Sequence, residues 1–455
     1  MKVTAVLLAA GQGTRMKSSL PKVLHPLCGK PMVWHVIEAL KPATTEKPVV
    51  VIGHGAGQVK KYLGDTADCV LQEPQLGTGH AAMQAESSLK NKTDFVIVTY
   101  ADMPLLRGET FKRLAETQRL NPGPFSLLTV TSDDPRGFGR ILRNRDGTVS
   151  AIVEEYVATP EQQNIKELNV GAYCFRADWL WDALHRISKN HKKGEYYLTD
   201  VVELAVKENL PVQAVLHDDF SETIGINTRV HLSEAEAAMR ARINREHMLN
   251  GVSMMNPGST YIDVGVKIGK DTTIMPNTYL QGDTEIGEGN VIGPNTIIRD
   301  SRIGNRCRVL ASVLEGALLE DDVDMGPFAR LRKGAHLKSR VHMGNFGEVK
   351  DSTLGEGVKM GHFSYIGNAK IGANTNIGAG AITANYDGER KLPTEIGEDV
   401  FIGVDTMLVA PLKLGDGAQT GAGAIVTKNV AEDTLVVGMP ARAIKKLERK
   451  RKKGK

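Results

Sequence analysis

The sequence predicts two folds in series, a doubly wound, Rossmann-like α/β domain followed by a parallel β-helix. Three observations predict it. In the first half, short apolar runs alternate with helical stretches. In the second, a branched apolar residue stands at every sixth position: Ile262, Ile268, Ile274, Leu280, Ile286, Ile292 and Ile298. Near the C-terminus the same beat returns with Ile396, Ile402, Leu408 and Leu414, slips at Thr420 and resumes at Val426. A period of six fits neither a helix nor a long strand. It fits a coil with a corner every six residues and the branched residue pointing inward.

Taken in order, Val3–Leu8, Pro48–Ile52 and Phe95–Tyr100 read as buried strands, and Met32–Leu40 and Thr78–Leu89 as helices. Such alternation predicts a mostly parallel sheet covered on both faces. In ILRNRDGTVSAIVEE, Asp146-Gly147 predicts a turn between two strands of a hairpin. SEAEAAMRARINREHML is rich in Ala and charge, without Gly or Pro, and predicts a linking helix. The domains are therefore expected at 1–228, with a linker helix at 229–250 and the β-helix at 251–455. In the repeats, IGEGN and IGANT put Gly and Asn at corners, where positive φ is cheap. At about 18 residues per three-sided coil, the region to Val430 holds on the order of ten coils. Val291, Ile297 and Val309 are expected on its flat outer faces. The polar stretch TANYDGERKLPTE, between Ile382 and Ile396, interrupts the beat as an insertion no coil interior holds. Insertions in repeat folds gather on a functional face.

Composition narrows the function. The 455 residues are 41% apolar and 24% charged, with no apolar run long enough to cross a bilayer. VTAVLLAAG runs into GQGTRMK rather than a cleavage site, so it reads as a first core strand, not a signal segment. Cys28, Cys69, Cys174 and Cys307 lie far apart, the pattern of reduced thiols in a cytoplasmic protein. The net charge of +4 comes mostly from Arg442–Lys455, which reads as a solvated helix end and tail, or as a patch for nucleotide phosphates. Aromatics are 5% and none interleaves that run, which argues against nucleic acid.

The first strand ends in LAAGQGTRM, whose glycines let the backbone approach phosphates. It is neither a Walker loop nor a complete dinucleotide fingerprint, because Met16 stands at the third Gly position. Arg15 and Lys22 set two cations beside it, suited to a triphosphate whose pyrophosphate leaves. Asp102, at the carboxyl end of a buried strand, lies where parallel sheets bind ligands; a helix cap before Pro104 is the plainer alternative.

LAAGQGTRM followed by LPKVL resembles the sugar-1-phosphate nucleotidyltransferases. QEPQLGTGHA, YADMPL and GFGRI, with the repeats, resemble one branch of them across essentially the whole chain. That branch is the bacterial bifunctional N-acetylglucosamine-1-phosphate uridyltransferase/glucosamine-1-phosphate acetyltransferase. The resemblance implies a left-handed parallel β-helix and a cytoplasmic homotrimer binding neither nucleic acid nor membrane. It implies a product, UDP-N-acetylglucosamine, used in peptidoglycan and lipopolysaccharide synthesis. By the same resemblance, Leu8, Ala9, Ala10 and Gly11 line the nucleotide loop, and Gln72, Gly77 and Thr78 read uracil. Gly139, Glu154 and Asn169 hold the N-acetylated sugar, while Asp102 and Asn227 hold Mg²⁺. N-acetylglucosamine-1-phosphate then attacks the α-phosphorus of UTP, with Arg15 and Lys22 neutralising phosphate charge.

In the repeats, His362 sits in KMGHFSYIGNAKIG among Arg332, Lys350, Lys391, Tyr365, Asn376, Asn385 and Tyr386. A phosphorylated amine acceptor needs cations to hold it and a base to free its amine. A lone His at a coil corner also serves simply as structure. GPFARLR, GNFGEVK, GHFSYIG and NYDG resemble the family's acetyltransferase site. By that match His362 is the base, oriented by Glu348. Arg332, Lys350, Tyr365, Asn376 and Lys391 hold glucosamine-1-phosphate. Ala379, Ala422, Asn385 and Tyr386 border acetyl-CoA, with Val404 where the family often has Ser and with Arg442 after a departing VGMPA segment. The alternative is a nucleotidyltransferase for another nucleotide or sugar-1-phosphate, its β-helix a silent assembly scaffold.

Overall fold

A computed structural model describes residues 1–189 and 194–446. The chain forms two compact units, 1–239 and 240–455, divided within the helix Arg229–Leu249. Its described part holds no helix long and apolar enough to cross a membrane.

The first unit is built on one sheet whose strands are β1 (Val3–Ala9), β2 (Val49–Ile52), β3 (Asp68–Leu71), β4 (Phe95–Tyr100), β5 (Phe125–Thr131), β6 (Arg140–Arg143), β7 (Val149–Val153), β8 (Glu167–Arg176) and β9 (Val212–His217). Their order is β9-β5-β8-β4-β1-β2-β3, with the β6/β7 hairpin joined to β8. Alternate residues of β1 enter opposite cores. Val6 and Leu8 pack with Val49, Val51, Val96 and Val98, whereas Ala5, Leu7 and Ala9 pack with Val50, Ile52 and Ile97. Burial on both faces is why these strands read as unbroken apolar runs.

The sheet is mostly parallel, as expected, apart from β8, which runs antiparallel to both β4 and β5 after the β6/β7 hairpin reverses the chain. One expectation needs correction here. The stretch Thr78–Leu89 is not one helix but two, Thr78–Met83 and Glu86–Leu89. Between them Gln84 and Ala85 donate to the carbonyls of Ala81 and Ala82, three residues back, which breaks the α-helical ladder.

Among the described residues, the second unit stacks strands into three sheets of twelve, ten and nine, all parallel except the last strand of the twelve, closing into about ten coils. Ile262, Leu280 and Ile298 pair in register on one face, Ile268, Ile286 and Ile303 on another, and Ile274, Ile292 and Val309 on the third. Val309 therefore points inward and is fully buried, contrary to its expected place outside, while Val291 and Ile297 are exposed. The error comes from the beat itself: Ile298 to Ile303 is one residue short, which moves Val309 into the inward row. A second buried row lies two residues earlier, at Thr272, Thr278, Thr284, Asn290 and Thr296. Its hydroxyls satisfy corner carbonyls, as when Thr272 donates to Gly287 and Thr278 to Met275. Corner residues Gly289 of IGEGN and Asn374 of IGANT have φ of 65° and 57°.

Thr420 does not break the ladder. It is buried in the inward row, where its Oγ1 accepts from the Gly403 amide at 2.8 Å and pairs with Thr406 Oγ1 at 2.9 Å. The insertion also sends residues inside: Thr383, Asn385 and Thr394 are buried. Arg442–Lys446 is a strand rather than a helix end, pairing antiparallel with Thr434–Val437. The rest of the basic run, 447–455, lies outside the described residues.

Thr420→Val restores the apolar beat yet leaves the buried Gly403 N–H without an acceptor, at a cost of about 1–3 kcal/mol. We expect the second unit to unfold at lower urea concentration in this variant, read by circular dichroism.

Candidate active sites

Parallel pairing of β1 with β4 brings their carboxyl ends side by side at Leu8 and Tyr100. Leu8, Ala9 and Ala10 are buried there, and Gly11 is exposed. The Ala10 carbonyl accepts from the His54 amide and from Gln75 Nε2 at 2.6 Å. Gly13 turns with φ 63°, and a Cβ there would stand 2.7 Å from Lys22 Cβ, so glycine lets Lys22 lie against the loop. Arg15 is exposed on the short turn Thr14–Met16. Lys22 extends to Asp102 and Asn227: its ammonium is in direct contact with Asp102 Oδ2 and donates to Asn227 Oδ1 at 2.9 Å. The Ile226 amide donates to the Asp102 carbonyl, which holds the Asn227 segment beside the strand end. Two oxygens from distant segments thus converge on one cation. A hard divalent ion takes such oxygens and leaves further positions to phosphate and water.

Across the loop, Gln72 is buried and donates to the Gly77 carbonyl. Thr78 Oγ1 accepts from the Leu198 amide, and Gly77, at φ 95°, opens the helix that follows. An open groove of about 560 Å³ is lined by Gln12, Gly53, His54 and Gln72.

Gly139, Glu154 and Asn169 form a neighbouring cluster. The Asn169 amide donates to the Gly139 carbonyl at 2.8 Å, and Glu154 Oε1 accepts from Thr199 Oγ1 at 3.0 Å. A bulge between Asn169 and Tyr173 shifts β8 against β5. At its centre Gly171 has φ 85°, and a Cβ there would stand 2.4 Å from the Tyr100 ring. Bulges re-aim side chains. This one lets Asn169 Nδ2 donate to the Tyr173 hydroxyl while its Oδ1 accepts from the Gly171 amide. Burial first, then the Glu154 and Asp102 carboxylates, push the Tyr100 phenol far above its usual range, so it stays a donor. Burial, then Glu203 and Glu154, push Asp200 up to about 6.

In the β-helix, register groups most of the expected residues. Arg330, Glu348, Tyr365 and Ile382 occupy one outward row of the ten-stranded sheet. Arg332 and Lys350 stand just beyond it, and Arg332 donates to Glu348 at 3.1 Å. The Asn385–Pro393 loop doubles back, with Tyr386 bridged to Lys391, and is pinned where Asn385 donates to Asn368 at 2.7 Å. This sets Lys391 against Lys350; contact with that ammonium first, then Arg332, holds Lys350 below the usual lysine range. Gathering three cations is costly unless an anion joins them.

His362 is exposed at the corner leading into this sheet. The same corner in successive coils carries Ala379, Val404 and Ala422: the Gly380 amide donates to Phe363, Asp405 to Ala379 and Gly423 to Val404. Arg442 is exposed at the start of the last strand, and the preceding Ala441 amide donates to Ile425. Asn376 stands apart, on the twelve-stranded sheet between Lys359 and Phe401. Glu348 is paired with Arg332.

Sequence reasoning passed over Tyr100, Gly171, Thr199 and Asp200. Tyr100 lay inside the motif YADMPL, and its position at the strand's carboxyl end was the available signal. Thr199 and Asp200 belong to a turn with no motif.

The two units define a nucleotidyltransferase joined to a hexapeptide-repeat transferase. Residues 5–194 match the MobA-like NTP transferase domain, residues 265–300 the bacterial transferase hexapeptide (six repeats) and residues 393–428 the hexapeptide repeat of succinyl-transferase. The chain is 46% identical over 437 residues to the bifunctional protein GlmU of Geobacillus sp. (strain WCH70), covering 96% of this chain and 95% of that protein. It is 44% identical over 434 residues to the bifunctional protein GlmU of Streptococcus agalactiae serotype V, covering 95% of each. The chain belongs to the GlmU family. It is a bifunctional enzyme, a uridyltransferase and acetyltransferase of UDP-N-acetylglucosamine synthesis.

Because Asp200 holds its proton more tightly in the folded state, its ionisation opposes folding as pH rises from its ordinary value near 3.8 to about 6. Asp200→Asn should be no more stable than the parent below about pH 4. Above about pH 6 it should gain on the order of 1 kcal/mol, after allowance for partial solvent screening. Melting temperatures across pH 4–8 check this.

Proposed function

We propose that the first unit holds UTP with its phosphates along Leu8, Ala9, Ala10 and Gly11, beside Arg15 and Lys22, and its base against Gln72, Gly77 and Thr78. Gly139, Glu154 and Asn169 hold the N-acetylated sugar, with Tyr100 as a half-buried donor beside them. The sugar phosphate oxygen attacks the α-phosphorus in line, and pyrophosphate leaves. No protein nucleophile is needed; the chain positions the reactants and neutralises charge. Asp102 and Asn227 would hold Mg²⁺, whose positive charge, when bound, offsets that of the phosphates. Convergence of their oxygens on the Lys22 ammonium carries this reading.

In the second unit, Arg332, Lys350 and Lys391 hold the phosphate of glucosamine-1-phosphate, with Tyr365 and Asn376 completing the acceptor site. His362 takes the proton from the 2-amino group as its nitrogen bonds to the thioester carbon of acetyl-CoA; the C–S bond then breaks, and CoA leaves as its thiol, taking that proton back from His362. Ala379, Val404, Ala422, Asn385 and Tyr386 border the cofactor, and Arg442 meets its phosphates. The close pair of Lys350 and Lys391, costly without an anion, favours this reading over a silent scaffold. At one end of the ten-stranded face Tyr279 and Ile297 pair as exposed neighbours, an apolar patch suited to a second copy of the chain. The working enzyme is then a cytoplasmic homotrimer, with Asn376 reaching an acceptor site from a neighbouring copy.

Two reciprocal variants test the roles. Asp102→Ala should abolish uridylyl transfer and leave acetyl transfer intact. His362→Ala should lower acetyl transfer by roughly two to four decades and spare uridylyl transfer from supplied N-acetylglucosamine-1-phosphate. Equal losses of both activities in either folded variant would sink the two-site assignment. Light scattering should give a mass near three times 49.4 kDa; a monomer fully active in acetylation would rule out shared sites.

A further inference from the structure

Gln72 is only 5% exposed, and both hydrogens of its amide are committed. Its Nε2 lies 3.0 Å from the Gly77 carbonyl and 3.1 Å from His80 Nδ1. A carbonyl only accepts, so the atom facing it is the NH₂ group whatever the amide assignment. The second hydrogen then points at Nδ1, which takes it only as a bare lone pair. Gln72 is left with one free group, the acceptor Oε1.

The surroundings of His80 favour the neutral ring. Gln84 Nε2 lies 3.2 Å from His80 Nε2 and donates to the His80 carbonyl at 3.0 Å, so an NH₂ group faces the second ring nitrogen too. A protonated ring would set N–H against NH₂ on both sides, and a neutral ring has one bare nitrogen for the two amides. It belongs at Nδ1, because Gln72 is buried with no other acceptor for its second hydrogen. Gln84 is half-buried, already bound to the His80 carbonyl, and can turn its second hydrogen to water away from Nε2–H. Burial and the Lys189 ammonium also hold this histidine below its usual range. The Tyr196 ring, 6.4 Å away and tilted 27°, lies along the imidazole and keeps its plane.

We infer that His80 is a positioning residue for base selection: it locks the Gln72 amide so that only Oε1 faces the base. An acceptor there suits uracil, whose N3 carries hydrogen, and opposes cytosine, whose N3 is a lone pair. This rests on the reading of Gln72 as the group that meets the base.

The test uses the full-length protein, with kcat/KM measured for UTP and for CTP against N-acetylglucosamine-1-phosphate. His80→Ala frees the amide to turn, and the UTP/CTP ratio should fall several-fold, up to about tenfold, the worth of one neutral hydrogen bond. His80→Asn places Oδ1 near the position of Nδ1 and should keep the parental ratio. His80→Leu, close in size and without the acceptor, gives the same reading as His80→Ala should the latter fail to fold. A ratio unchanged in His80→Ala or His80→Leu, with both nucleotides losing equally, overturns the assignment and leaves His80 a packing residue. Parent enzyme that ignores UTP altogether overturns the uridyltransferase reading beneath it, an outcome visible before any variant is made.

Discussion

Parallel strands paired in register make equivalent positions of successive strands coincide in space, and both sites are built on that constraint. In the first unit it sets the carboxyl ends of β1 and β4 side by side, so that Leu8 and Tyr100 open on the same ground. In the second it stacks corner on corner, so that Phe363, Ala379, Val404 and Ala422 follow one another up a single edge. The helices and loops then carry side chains to places the pairing has already set. Lys22 comes from a short turn and Asn227 from near the start of the long helix, yet both reach the end of one strand.

Charge is arranged differently in the two units. The first encloses opposite charges: Lys22 and Asp102 are both largely withdrawn from water and satisfy one another. The second gathers like charges at the surface, where Lys350 and Lys391 meet with Arg332 nearby and Glu348 and Asp351 as partial counterweights. Each arrangement suits phosphate. A buried ion pair presents a cation at a fixed point, and an exposed cluster lowers the cost of drawing in a doubly charged ester.

Much of this was legible in the chain because repeats advertise themselves. Six-residue spacing located the inward row, and LAAGQGTRM located the loop after the first strand. Where the reading failed, tertiary context had overridden a local pattern. Thr420 looked like a slip because a hydroxyl breaks an apolar beat, yet its oxygen is needed by the Gly403 amide. Val309 looked outward because counting by six ignores a turn one residue short. Thr199 and Asp200 were invisible, since their importance comes from lying near Glu154, about 45 residues away in the chain, a proximity made by folding alone.

The coils are not all of one length. Ile268 to Ile286 spans 18 residues, Ile286 to Ile303 spans 17, Ile303 to Leu319 spans 16, and Ile371 to Ile396 spans 25. All still pair in register, because each coil closes on itself before the next begins. Length is therefore free at the corners and rigid along the faces. A lineage could lengthen the loop beside Lys391 without disturbing any other layer, whereas one residue lost from a flat face would turn an inward side chain out. Chemistry evolves in such a fold by editing its edges, layer by layer, as a text is revised in its margins while the lines stay ruled.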